Sequence, residues 1–167
     1  MQVLRKIGDY SIRQCTHDDL GKVISINLDT LPEHYSDSFF EQLLVDNPES
    51  FLISEIDSSV IGYIMCRIEY GLSSIKKFGF ARKAHIVSIA ISEPHRSKGI
   101  GSVLIEEAKK ALKQKNCSEI FLEVRTSNKN GIELYERLGF KILTTLKWYY
   151  RDGEDAYLMG LTLNEPQ

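Results

Sequence analysis

Glu93-Pro94-His95-Arg96-Ser97-Lys98-Gly99-Ile100-Gly101-Ser102 is the stretch whose reading decides the fold. The apolar run from His85 to Ile91 leads into it, and a helical pattern from about Gly99 to Lys115 leads out. A junction of strand, loop and helix is an anion site by construction. The first N–H groups of the helix have no intrahelical acceptor, and the macrodipole places partial positive charge there. Gly99 and Gly101 carry no Cβ, so a diphosphate can approach the backbone closely. Arg96 and Lys98 add cations. Two better-known glycine loops do not fit. A dinucleotide fingerprint needs glycine at 104, where Leu104 stands, and no Gly-Lys-Ser/Thr follows to make a P-loop. Taken alone, the stretch also reads as an ordinary basic turn.

Working outward, His85 to Ile91 is nearly all apolar, as a strand covered on both faces should be. The helix after the loop is amphipathic, with Val103, Leu104, Ala108, Ala111 and Leu112 inward. Glu106 and Lys110 stand at i,i+4 in the favourable order for an ion pair. Glu119 to Arg125 is the next strand. A helical crossover reaches it, so it should run parallel to the central one. Asn128 caps a short helix, Lys129 to Leu138, that stops at Gly139. Phe140 to Tyr150 and Glu154 to Leu163 form a hairpin about Asp152-Gly153.

Upstream, Tyr10 to Cys15 alternates as a short strand. Thr16, with Asp19 three residues on, opens a helix in the manner of a capping box. Its stripe is Leu20, Val23, Ile24, Ile26 and Leu28, with Asn27 among them. Pro32 turns the chain at Leu31, and Ser36 to Val45 is a second helix. Phe51 to Ile56 and Val60 to Tyr70 are paired strands joined at Asp57-Ser58-Ser59. Gly62 marks a bulge or a close neighbour. Gly71 to Lys83 has no clear period and reads as a long loop with four cations. The order β-α-α-β-β-β-α-β-α-β-β predicts a mixed α/β fold, one sheet with helices on both faces.

A chain of 167 residues is one domain by length, here 1–167 with a core of about 10–163. It is long enough to bury a substantial core. A net charge of −2 argues against binding nucleic acid through bulk charge. No apolar run has the length of a membrane span, and no secretory leader is visible. Cys15, Cys66 and Cys117 are odd in number and unevenly spaced, so neither a disulfide framework nor a zinc site is expected. The thiols read as reduced, and the location as cytoplasmic. The last residues, Asn164 to Gln167, are expected to be disordered.

Four blocks together resemble the GNAT acetyltransferases, which use acetyl-CoA. They are His85 to Ile91, the spacing Arg96-x-x-Gly99-x-Gly101, Asn128 to Tyr135, and Leu138-Gly139-Phe140. Gly131 departs from the family, which often has alanine there, and should only loosen its helix. Two further blocks, Leu31-Pro32-Glu33-x-Tyr35 and Tyr149-Tyr150-x-Asp152-Gly153-Glu154-Asp155-Ala156-Tyr157, narrow the resemblance. They look like the catalytic subunits of NatA-type protein N-terminal acetyltransferases, their stand-alone archaeal relatives and the ribosomal-protein alanine acetyltransferases. The resemblance implies a GNAT fold, a mixed and mostly antiparallel sheet with a central parallel pair.

It also implies roles. Arg96, Ser97, Lys98, Gly99, Ile100, Gly101 and Ser102 would hold the CoA diphosphate. Ile89, Ala90 and Ile91 would pair with the pantetheine arm, and Asn128 and Tyr135 would face its thioester end. Leu31, Pro32, Glu33 and Tyr35 would wall the pocket for the first residue of a peptide, with Tyr149 and Tyr150 opposite. The amine arrives protonated, because an α-amino group titrates at about 7.7–8.0, so a base is required. Glu33 and His85 are the candidates. Histidine as a type titrates near neutral pH, and a glutamate reaches that range only through burial. Tyr135 would donate to the departing thiolate. Glu123 would hydrogen-bond His85 or hold water, and a His85–Glu123 pair could take a divalent ion, although no metal is required. The bland readings are a surface acid in a turn, a strand-edge histidine, a core tyrosine and cross-strand packing.

The expected activity is acetyl transfer from acetyl-CoA to the α-amino group of protein N-termini, including ribosome-associated nascent chains. No nucleic acid is expected by itself, no membrane, and a monomer or weak dimer. The alternatives are internal lysine or a small amine as acceptor, or a non-enzymatic acetyl-CoA-binding regulator.

Overall fold

The computed structural model describes residues 2–163, so the expectation for Asn164 to Gln167 lies outside the described residues. Eight strands form one mixed sheet: β1 (Val3–Ile7), β2 (Tyr10–Gln14), β3 (Phe51–Ile56), β4 (Ser59–Leu72), β5 (Phe80–Ile91), β6 (Glu119–Arg125), β7 (Lys141–Leu146) and β8 (Ala156–Thr162). Their spatial order is β1-β2-β3-β4-β5-β6-β8-β7. The described residues also form four α-helices: α1 (Leu20–Thr30), α2 (Asp37–Asp46), α3 (Ile100–Gln114) and α4 (Lys129–Arg137). The parallel pair is β5 with β6, as the crossover through α3 requires.

The chain divides into two compact units, one made of residues up to Arg67 with Ile86–Gln114, the other of Ile68–His85 with the chain from Lys115. In the first, α1 and α2 bury Val23, Ile26, Phe40 and Leu43 with Phe51, Ile53, Tyr63 and Met65 of β3 and β4. The helical stretch opens at Thr16 as expected, but its first residues, His17–Asp19, form a 3-10 turn and α1 begins only at Leu20. The Asp19 carboxylate accepts from both the N–H (2.8 Å) and the hydroxyl (3.0 Å) of Thr16. It also takes a bidentate grip from buried Arg13, whose other face holds Glu55 of β3. On α3 the expected Glu106–Lys110 pair gives way to two others. Glu106 meets Arg5 at 2.8 Å, and Lys110 meets buried Glu107 at 2.8 Å.

Gly62 is a close approach and lies beside an irregularity. A Cβ there would sit 2.6 Å from Ile91 Cδ1, 2.8 Å from Ser54 Oγ and 3.1 Å from the Ala90 carbonyl. The β3–β4 register slips next to it, between Ser54 and Glu55. Gly62→Ala therefore overpacks a full interior. It is expected to lower stability by about 1–3 kcal/mol, a fall of several degrees in a thermal melt. An unchanged melting temperature would show that Ile91 yields freely.

In the second unit, β6 pairs with β8 along its whole length, from Glu119↔Thr162 to Arg125↔Ala156. Buried Glu119 accepts from the Ser73 hydroxyl and the Ser74 N–H, which closes the connection between β4 and β5. That connection is shorter than the expected Gly71–Lys83 loop. β4 runs to Leu72 and β5 begins at Phe80, with Tyr70 and Phe80 stacked at 5.9 Å. β7 ends at Leu146 rather than Tyr150 because Trp148 turns left-handed (φ 52°) and its N–H is held by Asp155.

Candidate active site

The loop after β5 has the geometry of an anion cradle. Ser97 (φ 62°) and Gly99 (φ 79°) adopt left-handed backbone on either side of Lys98. Alternation of hand over successive residues turns their N–H groups toward one concave side. α3 follows at Ile100, adding the N–H groups of its first turn. Nothing lies within 4 Å of a Cβ built on Gly99, so the approach to the backbone is open. Arg96 caps the strand end, its Nε donating to the Ile91 carbonyl at 3.0 Å. A groove of about 780 Å³ opens beside the loop, lined by Lys22, Asp29, Ser59, Glu93, His95 and Arg96 among others. Its acidic side chains do not suit a diphosphate, and Glu33 does not line it.

β5 feeds the loop with two distinct faces. Ile86, Ser88 and Ala90 are buried, while His85, Val87, Ile89 and Ile91 are half-buried. Register with β6 covers Lys83, Ala84 and His85 and goes no further. The backbone of the last residues of β5 therefore has a free side, on which the Val87 carbonyl accepts from Tyr35 Oη (3.2 Å) and the Ile91 carbonyl from Arg96. Ile89 stands between these two at the strand's period of two.

Tyr35 belongs to the turn between α1 and α2, where Leu31 leaves the helix in an extended conformation (φ −122°) as Pro32 requires. Leu31, Glu33 and Tyr35 are half-buried and Pro32 is exposed. Tyr35 stacks on Phe39 at 5.0 Å. The turn is held from below by Asn27, whose Nδ2 donates to the Glu33 carbonyl at 3.1 Å and to Tyr63 Oη at 3.1 Å. Tyr63 Oη in turn lies 2.7 Å from Ser88 Oγ. The sequence reading missed this chain. Its one signal is Asn27, an amide in the apolar stripe of α1.

The second unit carries a compact cluster. His85 Nε2 and Glu123 Oε2 are 2.6 Å apart, a direct hydrogen bond, and Tyr149 Oη donates to Glu123 Oε1 at 3.0 Å. Strand period explains it. His85 pairs in register with Phe121, on which it stacks at 4.7 Å, and Glu123 is two residues further along the same face. Tyr150 has the Arg125 guanidinium 4.0 Å from its ring centre, and Arg125 also binds Asp152 and Glu154. Among the described residues, no group of three or more His, Cys, Asp or Glu side chains could hold a metal ion.

α4 contributes Asn128 and Tyr135. Asn128 caps the helix, its Oδ1 accepting from the Gly131 N–H at 3.0 Å. A Cβ on Gly131 would lie 2.7 Å from Asn128 Nδ2, so this glycine makes room for the cap. Burial pushes the Tyr135 phenol up to about 12. It keeps its proton at neutral pH and is a hydrogen-bond donor.

A parallel pairing at the start of β5 and a left-handed loop at the helix start after it are the two features that the glycine stretch presents. The comparisons name the class. The chain belongs to the acetyltransferase (GNAT) family, whose model matches residues 20–140. It is 48% identical to an N-alpha-acetyltransferase of Saccharolobus solfataricus, over 93% of this chain and 94% of that one. It resembles the crystal structure of Ard1 from Thermoplasma volcanium with a TM-score of 0.82 and 30% identity, covering 95% of this chain and 100% of that one. Arabidopsis thaliana Naa50 in complex with the bisubstrate analogue CoA-Ac-MVNAL matches with a TM-score of 0.79 and 25% identity, over 92% and 99%.

Proposed function

We propose that this protein transfers the acetyl group of acetyl-CoA to the free α-amino group of protein N-termini. The similarity that carries this reading is the 48% identity with a protein of that name over nearly the full length of both. The diphosphate of CoA settles on the loop from Arg96 to Ser102, through the N–H groups after Arg96, whose own N–H donates to the Glu93 carbonyl at 3.2 Å. The amide-rich arm runs along Ile89, Ala90 and Ile91 as an added strand, satisfying backbone groups that β6 does not. Leu31, Pro32, Glu33 and Tyr35 receive the first residue of the peptide, and Tyr149 and Tyr150 its backbone. With Tyr149 already donating to Glu123, a peptide carbonyl competes for that hydroxyl.

In the reaction, a base takes one proton from the ammonium group. The neutral amine attacks the thioester carbonyl, the C–N bond forms, and the C–S bond breaks. The amine's second proton passes through solvent to the departing thiolate, and CoA leaves as the thiol. Glu33 and His85 are the candidate bases. His85 is oriented by Glu123, whose hydrogen bond fixes the ring. At about 12, the Tyr135 phenol is a weaker acid than a thiol of about 8.5. It therefore stabilises the departing thiolate by hydrogen bonding rather than giving up its proton.

Three cysteines without disulfide partners, all buried, suit a reducing compartment, and we place the protein in the cytoplasm acting on new chains. No described helix is long and apolar enough to cross a membrane. The test is release of CoA thiol with peptides bearing a free or a blocked α-amine. Turnover is expected only on the free amine. Equal rates on a blocked peptide with an internal lysine would transfer the activity to lysine, and tight acetyl-CoA binding without turnover would make the protein a regulator.

A further inference from the structure

α1 buries an amide where its stripe calls for a hydrocarbon. Asn27 is 1% exposed, and its Oδ1 has no hydrogen-bond partner among the described residues. A buried acceptor left unpaired destabilises a fold, so leucine would serve packing better. What the amide supplies is a pair of donors, and both are used: one on the Glu33 carbonyl, the other on Tyr63 Oη. Tyr63 Oη also lies 2.7 Å from Ser88 Oγ, where either hydroxyl can be the donor. Burial pushes the Tyr63 phenol up, outweighing the hydrogen bonds of Ser88 and Asn27, so it stays protonated. Tyr63 is fully buried and Ser88 is 6% exposed. One residue before Ser88, the Val87 carbonyl takes the Tyr35 hydroxyl. Two ties therefore join the turn at Leu31–Tyr35 to neighbouring residues of β5.

We propose that the buried chain Asn27–Tyr63–Ser88 is a positioning device, locking the turn that carries Glu33 to the middle of β5. The inference rests on the reading that this turn receives the peptide and that β5 receives the acetyl-CoA arm. A reacting pair must be held to within a fraction of an ångström, and a displacement of about 1 Å can lower a rate some hundredfold. The chain supplies that registration through groups that touch neither substrate. Asn27, Tyr63 and Ser88 are thus positioning residues rather than catalytic ones.

Tyr63→Phe tests this with the least change of shape. It keeps the ring and removes the link between Asn27 and Ser88. The expected result is at least a tenfold loss in kcat/KM for a free-amine peptide. The acetyl-CoA Kd, measured by calorimetry, should stay within about twofold, because the loop from Arg96 to Ser102 is untouched. Amide hydrogen exchange over residues 31–35 should quicken, with residues 97–102 unchanged. The double variant Asn27→Ala, Tyr63→Phe should lose little more than the worse single variant, since both break one chain. Unchanged peptide kinetics and unchanged exchange at 31–35 would overturn the proposal. So would a parallel weakening of acetyl-CoA binding, the mark of general loosening. If Tyr63→Phe does not fold, Ser88→Ala breaks the far end of the chain and is read by the same outcomes. Absence of peptide turnover in the wild-type protein would defeat the proposed function instead, while the exchange measurement still reports on the chain.

Discussion

Replacing Glu33 and His85 together by glutamine is expected to lower kcat for a free-amine peptide by about 10²–10⁴-fold, the usual range for loss of a positioned base. The acetyl-CoA Kd should be unchanged, because neither side chain belongs to the loop that holds the diphosphate. Glutamine keeps the bulk of Glu33, and at 85 it retains an amide donor for Glu123. The single variants assign the proton. The residue that acts as base should carry nearly the whole loss. The other should stay within a few-fold of the wild type. His85 has the stronger structural case, with Glu123 at 2.6 Å and Phe121 stacked beneath the ring. Near-normal turnover in the double variant would remove both residues from the mechanism and leave the amine to shed its proton to water.

What could be read from the residues was what they do locally. The strand–loop–helix from His85 to Lys115 was legible because glycines, cations and an apolar run coincide within a few residues. The Pro32 turn and the Asn128 cap were legible because each is a rule about one residue and its immediate neighbours. What escaped depends on distant partners. β1 went unread because its residues, Val3 to Ile7, are exposed or half-buried and show no buried period. The end of β4 beyond Tyr70 and the start of β5 looked like loop for the same reason: Leu72 and Phe80 are exposed. Glu106 pairs with Arg5, a partner 101 positions away that helix spacing does not disclose. The Asn27–Tyr63–Ser88 chain joins α1, β4 and β5, and only Asn27, out of place in its stripe, announced it. The tie of Glu123 to both His85 and Tyr149 follows from the register of β5 on β6, which the crossover implied but did not specify.

Arg13→Ala is expected to destabilise the protein by about 3–5 kcal/mol at neutral pH, the range for breaking a buried ion pair from one side. Arg13 is 7% exposed and grips Asp19 and Glu55 with two hydrogen bonds each. Its loss leaves Asp19, 9% exposed, without a counter-charge at the start of the helix that leads to the Glu33 turn. The pH dependence has a definite sign. In the wild type, burial alone would push the Asp19 carboxyl up. The hydrogen bonds of Arg13 and Thr16 and the guanidinium charge outweigh it and hold the group below the usual carboxylate range. A depressed carboxyl contributes stability that is present above its unfolded value, about 3.9, and is lost as pH falls through the folded value. In the variant the Arg13 hydrogen bonds and charge are gone and the Thr16 bonds alone oppose burial, so the carboxyl is less depressed. The wild type thus loses more stability on acidification than the variant does. The gap between their urea midpoints should be widest near pH 7 and should narrow toward pH 3. An equal gap at both pH values would mean that Arg13 acts by packing its alkyl stem, and a gap under 1 kcal/mol at pH 7 would mean that the two carboxylates find water without it.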